Sequence, residues 1–206
     1  SEYIFAHAYY AASFDKGGKT NYLETITKAF IHGREVIASA NGRSLNLDER
    51  TKLLSHRDTI VKNWEKVIAE AVFKYAGSVY KDMGKLEDDA SDKNFSNYAK
   101  HWGELKGFSL ALQCGKNNLG ETAVKLNRMM GHGPVLMNAS QVVGVDSSGN
   151  YVKDQAQEWD DYKLHMLKIQ KLMIDQFGIE AKANDQLANM SDLASKLGSS
   201  DTAEND

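Results

Sequence analysis

Two tetrads carry the same pair of side chains that could do chemistry: His32-Gly-Arg-Glu35 and His101-Trp-Gly-Glu104. A His and a Glu three residues apart on a helix lie about 60° apart around its axis, on adjoining turns. An imidazole nitrogen and a carboxylate oxygen placed this way can converge on one ion. Iron, zinc, copper and manganese all accept such mixed ligands. Glu-x-x-His pairs in di-metal bundles use the same spacing in the opposite order. His32, Glu35, His101 and Glu104 are therefore the candidate metal ligands, for a transition-metal ion such as iron or zinc. The competing expectation is that each pair is a modest helical hydrogen bond at a surface or an interface.

The rest of the chemistry is sparse. Cys114 is the only cysteine, which excludes a disulfide framework and a multi-cysteine metal site within the chain. It ends an apolar helix without an activating neighbour, so a buried inert thiol is expected. His7, His56 and His165 read as packed or solvated, and His132 as a loop tip between glycines. No nucleophile elbow, phosphate-binding loop, dinucleotide fingerprint or His-Glu-x-x-His is present. Asp146-Ser-Ser-Gly-Asn150 resembles the start of a calcium loop but lacks the downstream Glu, so a solvated turn is expected. No residue pattern in the sequence points to a catalytic group.

The elements that must position the two pairs are helices. There is one proline, Pro134, in 206 residues, which leaves room for long uninterrupted helices. The spacing predicts helices over 21–40, 48–80, 95–114 and 155–177. Their apolar stripes are Leu23/Ile26/Phe30/Gly33/Ile37, Leu53/Ile60/Trp64/Val67/Ala71/Val79, Phe95/Tyr98/Trp102/Leu105/Leu112 and Trp159/Tyr162/Met166/Ile169/Met173/Phe177. Thr20 is the expected cap of the first and Gly178 the stop of the last. Shorter helices are expected over 2–12, 119–130 and 185–197. The acidic, glycine-containing stretch 82–92 reads as a loop. So does 131–154, with room for a short hairpin of Gln141-Val-Val-Gly-Val145 and Tyr151-Val152. The fold class is all-α: a bundle of four long helices plus shorter ones, one domain over 1–197, then a disordered acidic tail over 198–206.

Composition limits the partners. The net charge of −3 supplies no basic excess for nucleic acid or an anionic membrane. No apolar run approaches the roughly 18 residues of a spanning helix. At 100° per residue, His32 and Glu35 fall roughly 140–160° from the centre of their helix's apolar stripe. His101 falls about 60° and Glu104 about 120° from theirs. The first pair should therefore face solvent or a second packed surface, helped by Ile31 and Val36 beside it. The second should sit at the edge of the core.

Several ordered blocks resemble a known family. They are Ser1-Glu-Tyr3 with Ala8 and Ala11-Ala12, Ala29-Phe-Ile-His-Gly-Arg-Glu-Val-Ile37, Trp64-Glu-Lys-Val-Ile-Ala69 and His101-Trp-Gly-Glu-Leu-Lys-Gly-Phe108. Together they resemble a bacterial secreted or lipid-anchored domain-of-unknown-function family, similar to the imelysin-like helical proteins. The resemblance covers roughly residues 1–140. It implies a periplasmic or extracellular helical protein associated with iron uptake, with a His-x-x-Glu motif suspected of binding metal. His32/Glu35 and His101/Glu104 both match that motif. It also implies a preceding helical half, so that this chain corresponds to the C-terminal part of a two-part protein. Three functional expectations follow. The first is a metal-binding or metal-uptake accessory protein. The second is a non-catalytic interaction module whose helical surface packs on another half or subunit. The third, ranked last, is a metal-dependent hydrolase.

Overall fold

The computed structural model describes residues 6–114, 119–137, 142–153 and 159–198. In chain order these form α1 (Ala6–Asp15), α2 (Tyr22–Ser39), α3 (Leu47–Asp88), α4 (Asp92–Gln113), α5 (Glu121–Met130), β1 (Val142–Val145), β2 (Tyr151–Lys153), α6 (Trp159–Phe177), a 3₁₀ turn (Leu187–Asn189) and α7 (Met190–Leu197). The chain is an all-α bundle whose four long helices are α2, α3, α4 and α6. Residues 199–206 of the expected tail, 2–5 of the expected first helix and 155–158 of the expected last long helix lie outside the described residues. No described helix is long and apolar enough to cross a membrane.

α3 is the spine: 42 residues, roughly 63 Å of helix at about 1.5 Å per residue. A capping box starts it. The Asn46 side chain accepts from the Glu49 amide and the Glu49 carboxylate accepts from the Asn46 amide, each at 2.9 Å. Arg43 grips the same carboxylate. Before it, Asn41 and Gly42 take positive φ values of 49° and 81°, which end α2 and turn the chain back. The expected loop over 82–92 is instead mostly helix, and only residues 89–91 break it. Met83 and Leu86 are buried along this last stretch, and Lys85 and His101 neutralise Asp82, so core packing overrides the acidic, glycine-containing composition.

α2 is capped differently from expectation. Thr20 does not cap it; its hydroxyl donates to Asp15, whose carboxylate accepts the amides of Tyr22 and Leu23 at 2.8 Å each. The α2 stripe also divides. Ile26 and Gly33 are buried with Tyr22 and Ala29 against α3, but Leu23, Phe30 and Ile37 are 38%, 50% and 56% exposed. On α4, Tyr98, Leu105 and Leu112 are buried while Phe95 is exposed. On α6, Tyr162, Met166, Ile169 and Met173 are buried, and Gly178 ends the helix at φ +56°. Leu193 of α7 closes over Leu164 and Leu167.

The core lies where α1, α4, α5 and α6 wrap the C-terminal half of α3. Polar ties fix its edges. Trp102 donates to the Tyr162 hydroxyl, which donates to the Met130 carbonyl, and Tyr98 donates to the Val135 carbonyl. β1 and β2 form the short antiparallel hairpin anticipated in the long loop, with Val145 opposite Tyr151. Its turn is the expected solvated one, Asp146 accepting from the amides of Ser148 and Asn150.

Candidate functional site

The two His–Glu pairs sit in unlike places. His32 and Glu35 are both exposed on α2. The His32 ring meets His56 of α3, with ring centroids 5.8 Å apart. His101 instead faces the other end of α3, its Nδ1 lying 2.5 Å from Oδ2 of buried Asp82. Positions 56 and 82 are 26 residues apart on one helix, roughly 39 Å at about 1.5 Å per residue. His32 and His101 therefore cannot share an ion.

Among the described residues, no group of three or more His, Cys, Asp or Glu side chains is placed to hold a metal. The surroundings of His101 are also unfavourable to a cation. Lys85 Nζ takes the other Asp82 oxygen at 2.8 Å, so both oxygens are already engaged by basic side chains. Among the described residues, these side chains do not assemble an iron or zinc site.

What does converge at His101 is a polar cleft of about 360 Å³ between α3 and α4. Lys74, Lys81 and Lys85 enter from α3, and Lys100, His101 and Glu104 from α4. Tyr75 and Ser78 form part of the wall and Asn184 the rim. Lys74 is held over the rings of Tyr75 and Tyr10, 5.0 and 5.6 Å from their centroids. The Tyr75 and Tyr10 hydroxyls are 2.7 Å apart. Burial first, and for Tyr75 the Tyr10 hydrogen bond next, hold both phenols above the ordinary tyrosine range. Both stay protonated at neutral pH. Because the Asp82 carboxylate accepts at His101 Nδ1, Nε2 is the nitrogen left for any further partner. A second cleft of about 390 Å³, with Leu86, Phe95, Tyr98, Val135 and Trp159 in its wall, is apolar and offers no comparable chemistry.

The rim is built with care. Residues 178–186 run back over α3, and fully buried Glu70 anchors them. Its carboxylate accepts the amides of Glu180, Ala181 and Lys182 at 2.6–2.9 Å, and the Tyr22 hydroxyl at 3.1 Å. Buried Gln170 donates to the carbonyls of Phe73 and Asn184 and accepts the Gln186 amide. The segment presses so closely that a Cβ on Gly77 would lie 2.1 Å from the Asn184 carbonyl oxygen. Lys182 and Asn184 take left-handed φ values of 49° and 58°. The Asn184 side chain then donates to Ser78 Oγ at 2.9 Å and faces Lys81 with its oxygen at 3.5 Å.

Sequence reasoning placed His101 at the edge of the buried face, and it is half-buried there. It missed Asp82, assigned to a loop, and it missed Glu70, Gln170 and Asn184. Asp82 and His101 lie 19 residues apart, with no local spacing to link them. A Glu among Ala, Val and Phe neighbours was the available signal for Glu70. Cys114 is exposed at the end of α4 and not buried as expected, because the helix stops there and leaves the side chain outside the α4 core row. His165 is buried on α6, His7 packs on Trp64 and His132 is exposed, as their neighbours implied. No family model, curated protein or solved structure matches the chain.

Proposed function

We propose that this protein is a non-catalytic helical interaction module, whose α2–α3 hairpin docks against a second pair of helices to complete a four-helix bundle. The carrying observation is the pair of exposed apolar rows on that hairpin. Leu23, Phe30 and Ile37 recur every seventh residue on α2, and Leu47, Leu54 and Val61 do the same on α3; all six are more than a third exposed. A seven-residue apolar repeat drifts about 20° per step on a straight helix and stays in line only against another coiled helix. Phe30 meets Trp64 across the hairpin, with ring centroids 5.6 Å apart, and Trp64 lies about 60° around α3 from Val61. The two rows thus border one face. Solvent-facing helices place charged residues at such positions, so this face is shaped for helices and not for water.

The second pair of helices comes from polypeptide beyond these 206 residues. That source agrees with the resemblance to a two-part, extracytoplasmic, imelysin-like protein. Metal binding by His32, Glu35, His101 and Glu104 draws no support from the geometry. Hydrogen exchange tests the docking reading. In the protein isolated from its native source, amides of 23–37 and 47–64 should exchange at least about tenfold more slowly than in the 206-residue chain alone. Phe30→Asp with Leu54→Asp should erase that difference while the helical signal is retained. Equal exchange in the two preparations refutes the reading.

A further inference from the structure

We infer that the cleft between α3 and α4 is a binding site for a small, multiply charged oxyanion bearing phosphate or carboxylate groups. Its charge carries the argument first. Four lysines against Asp82 and Glu104 leave a surplus of two positive charges before His101 is counted. Lys85 and His101 are paired with Asp82, which leaves Lys81 and Lys100 facing the opening; Lys100 makes no ion pair among the described residues. Lys81 and Lys100 thus bring positive charge from two helices to one opening, and a cleft walled by protein concentrates the field that an anion meets there.

The second line is structural and independent of charge. Asn184 is a non-glycine residue held in the left-handed region at the rim, braced by Gly77, Gln170 and Ser78. Asn accepts this conformation more readily than other non-glycine residues, and the hydrogen bonds around it hold the rim in one place. The Asn184 side-chain amide donates to Ser78 and its oxygen faces Lys81 at the rim. The wall is fixed as well: Tyr10 holds the Tyr75 hydroxyl, and Asp82 holds the His101 ring. The ammonium groups supply the attraction, and the fixed wall keeps them around one opening.

Calorimetric titration of the 206-residue chain at low ionic strength tests this, with inorganic phosphate and citrate as separate probes. The expected result is saturable binding of at least one probe, weakening as salt rises. Lys81→Gln with Lys100→Gln should weaken it by about tenfold or more. Both lysines are exposed, so this variant folds, and a thermal melt verifies that. Lys52→Gln with Lys62→Gln, on the hairpin, should leave affinity unchanged. Saturation by phosphate alone assigns a phosphate ligand, and by citrate alone a polycarboxylate. No saturation by either anion at concentrations on the order of 10 mM overturns the inference. So does undiminished binding in the Lys81/Lys100 variant. Neither result bears on hairpin docking, which concerns the other end of α3.

Discussion

The two halves of α3 are one helix in two environments. From Val67 to Leu86 it presents Val67, Ala71, Phe73, Val79 and Met83 to helices on several sides, all essentially inaccessible. From Leu47 to Lys66 it packs on α2, and Leu47, Leu54, Val61 and Trp64 remain in contact with solvent. Backbone and capping are sound in both halves. The difference is how much apolar surface each has found a partner for. The contrast repeats at the two His-x-x-Glu tetrads: His32 lies on the open half with His56, His101 on the enclosed half with Asp82. An identical four-residue spacing acquires its meaning from what the helix opposite places there.

The contrast breaks most sharply at glycines of the enclosed half. Gly77→Ala should cost about 3 kcal/mol, because its Cβ would fall 2.1 Å from the Asn184 oxygen and 2.6 Å from Gln170 Nε2. Gly84→Ala, seven residues on along the same helix, meets nothing within 4 Å. It should stabilise by about 0.5–1 kcal/mol through helix propensity and reduced freedom of the unfolded chain. Chemical denaturation of both variants measures the pair; equal effects would mean that residues 178–186 do not seat on α3.

The next largest effect separates the two histidines. His101→Ala leaves buried Asp82 with Lys85 alone and should cost about 2 kcal/mol. His32→Ala removes an exposed ring and should stay within about 0.5 kcal/mol. Denaturation midpoints at pH 7 decide it. Comparable losses would place His32 in a buried surface even in the isolated chain.

Much of the fold was legible because helical periodicity is local. The stripes Tyr98/Leu105/Leu112 and Tyr162/Met166/Ile169/Met173 are core rows as their spacing implied. Periodicity could not say how many partners a stripe would find, and so Leu23, Phe30 and Ile37 read as core yet lie open. The candidate site was half legible. His101 and Glu104 declared themselves by spacing, while the residues that fix the site reach it from afar: Asp82 across 19 positions, and Asn184 across 106 to Ser78. Acidic composition around Asp82 also pointed the wrong way, because propensity is blind to a Lys and a His arriving to neutralise a buried carboxylate.

On the open half, the α2–α3 contact itself admits a smaller change. A Cβ on Gly33 would meet Leu53 Cδ1 at 3.5 Å and His56 Cβ at 3.7 Å, ordinary van der Waals distances. Gly33→Ala should therefore raise stability by about 0.5–1 kcal/mol. A loss of more than about 1 kcal/mol in a denaturant melt would show the two helices closer together than this spacing.

The smallest effect is a pH dependence confined to the tip of the open half. Hydrogen bonds from Arg43 and then from the Asn46 amide hold the Glu49 carboxyl at about 2, below its ordinary value of 4.5. A carboxyl with a lowered folded-state pKa binds fewer protons folded than unfolded. Its contribution is complete above pH 4.5 and fades as pH falls toward 2. Because the pair lies at the surface, with Arg43 about half exposed, salt should screen the effect. Amide exchange at 43–50 should therefore accelerate between pH 4.5 and 2 relative to the intrinsic rate, before the enclosed half responds. Glu49→Gln should flatten that slope and raise tip exchange at pH 7. If the slope survives in Glu49→Gln, the capping box is not what closes the hairpin tip, and the turn at Asn41 and Gly42 must hold it unaided.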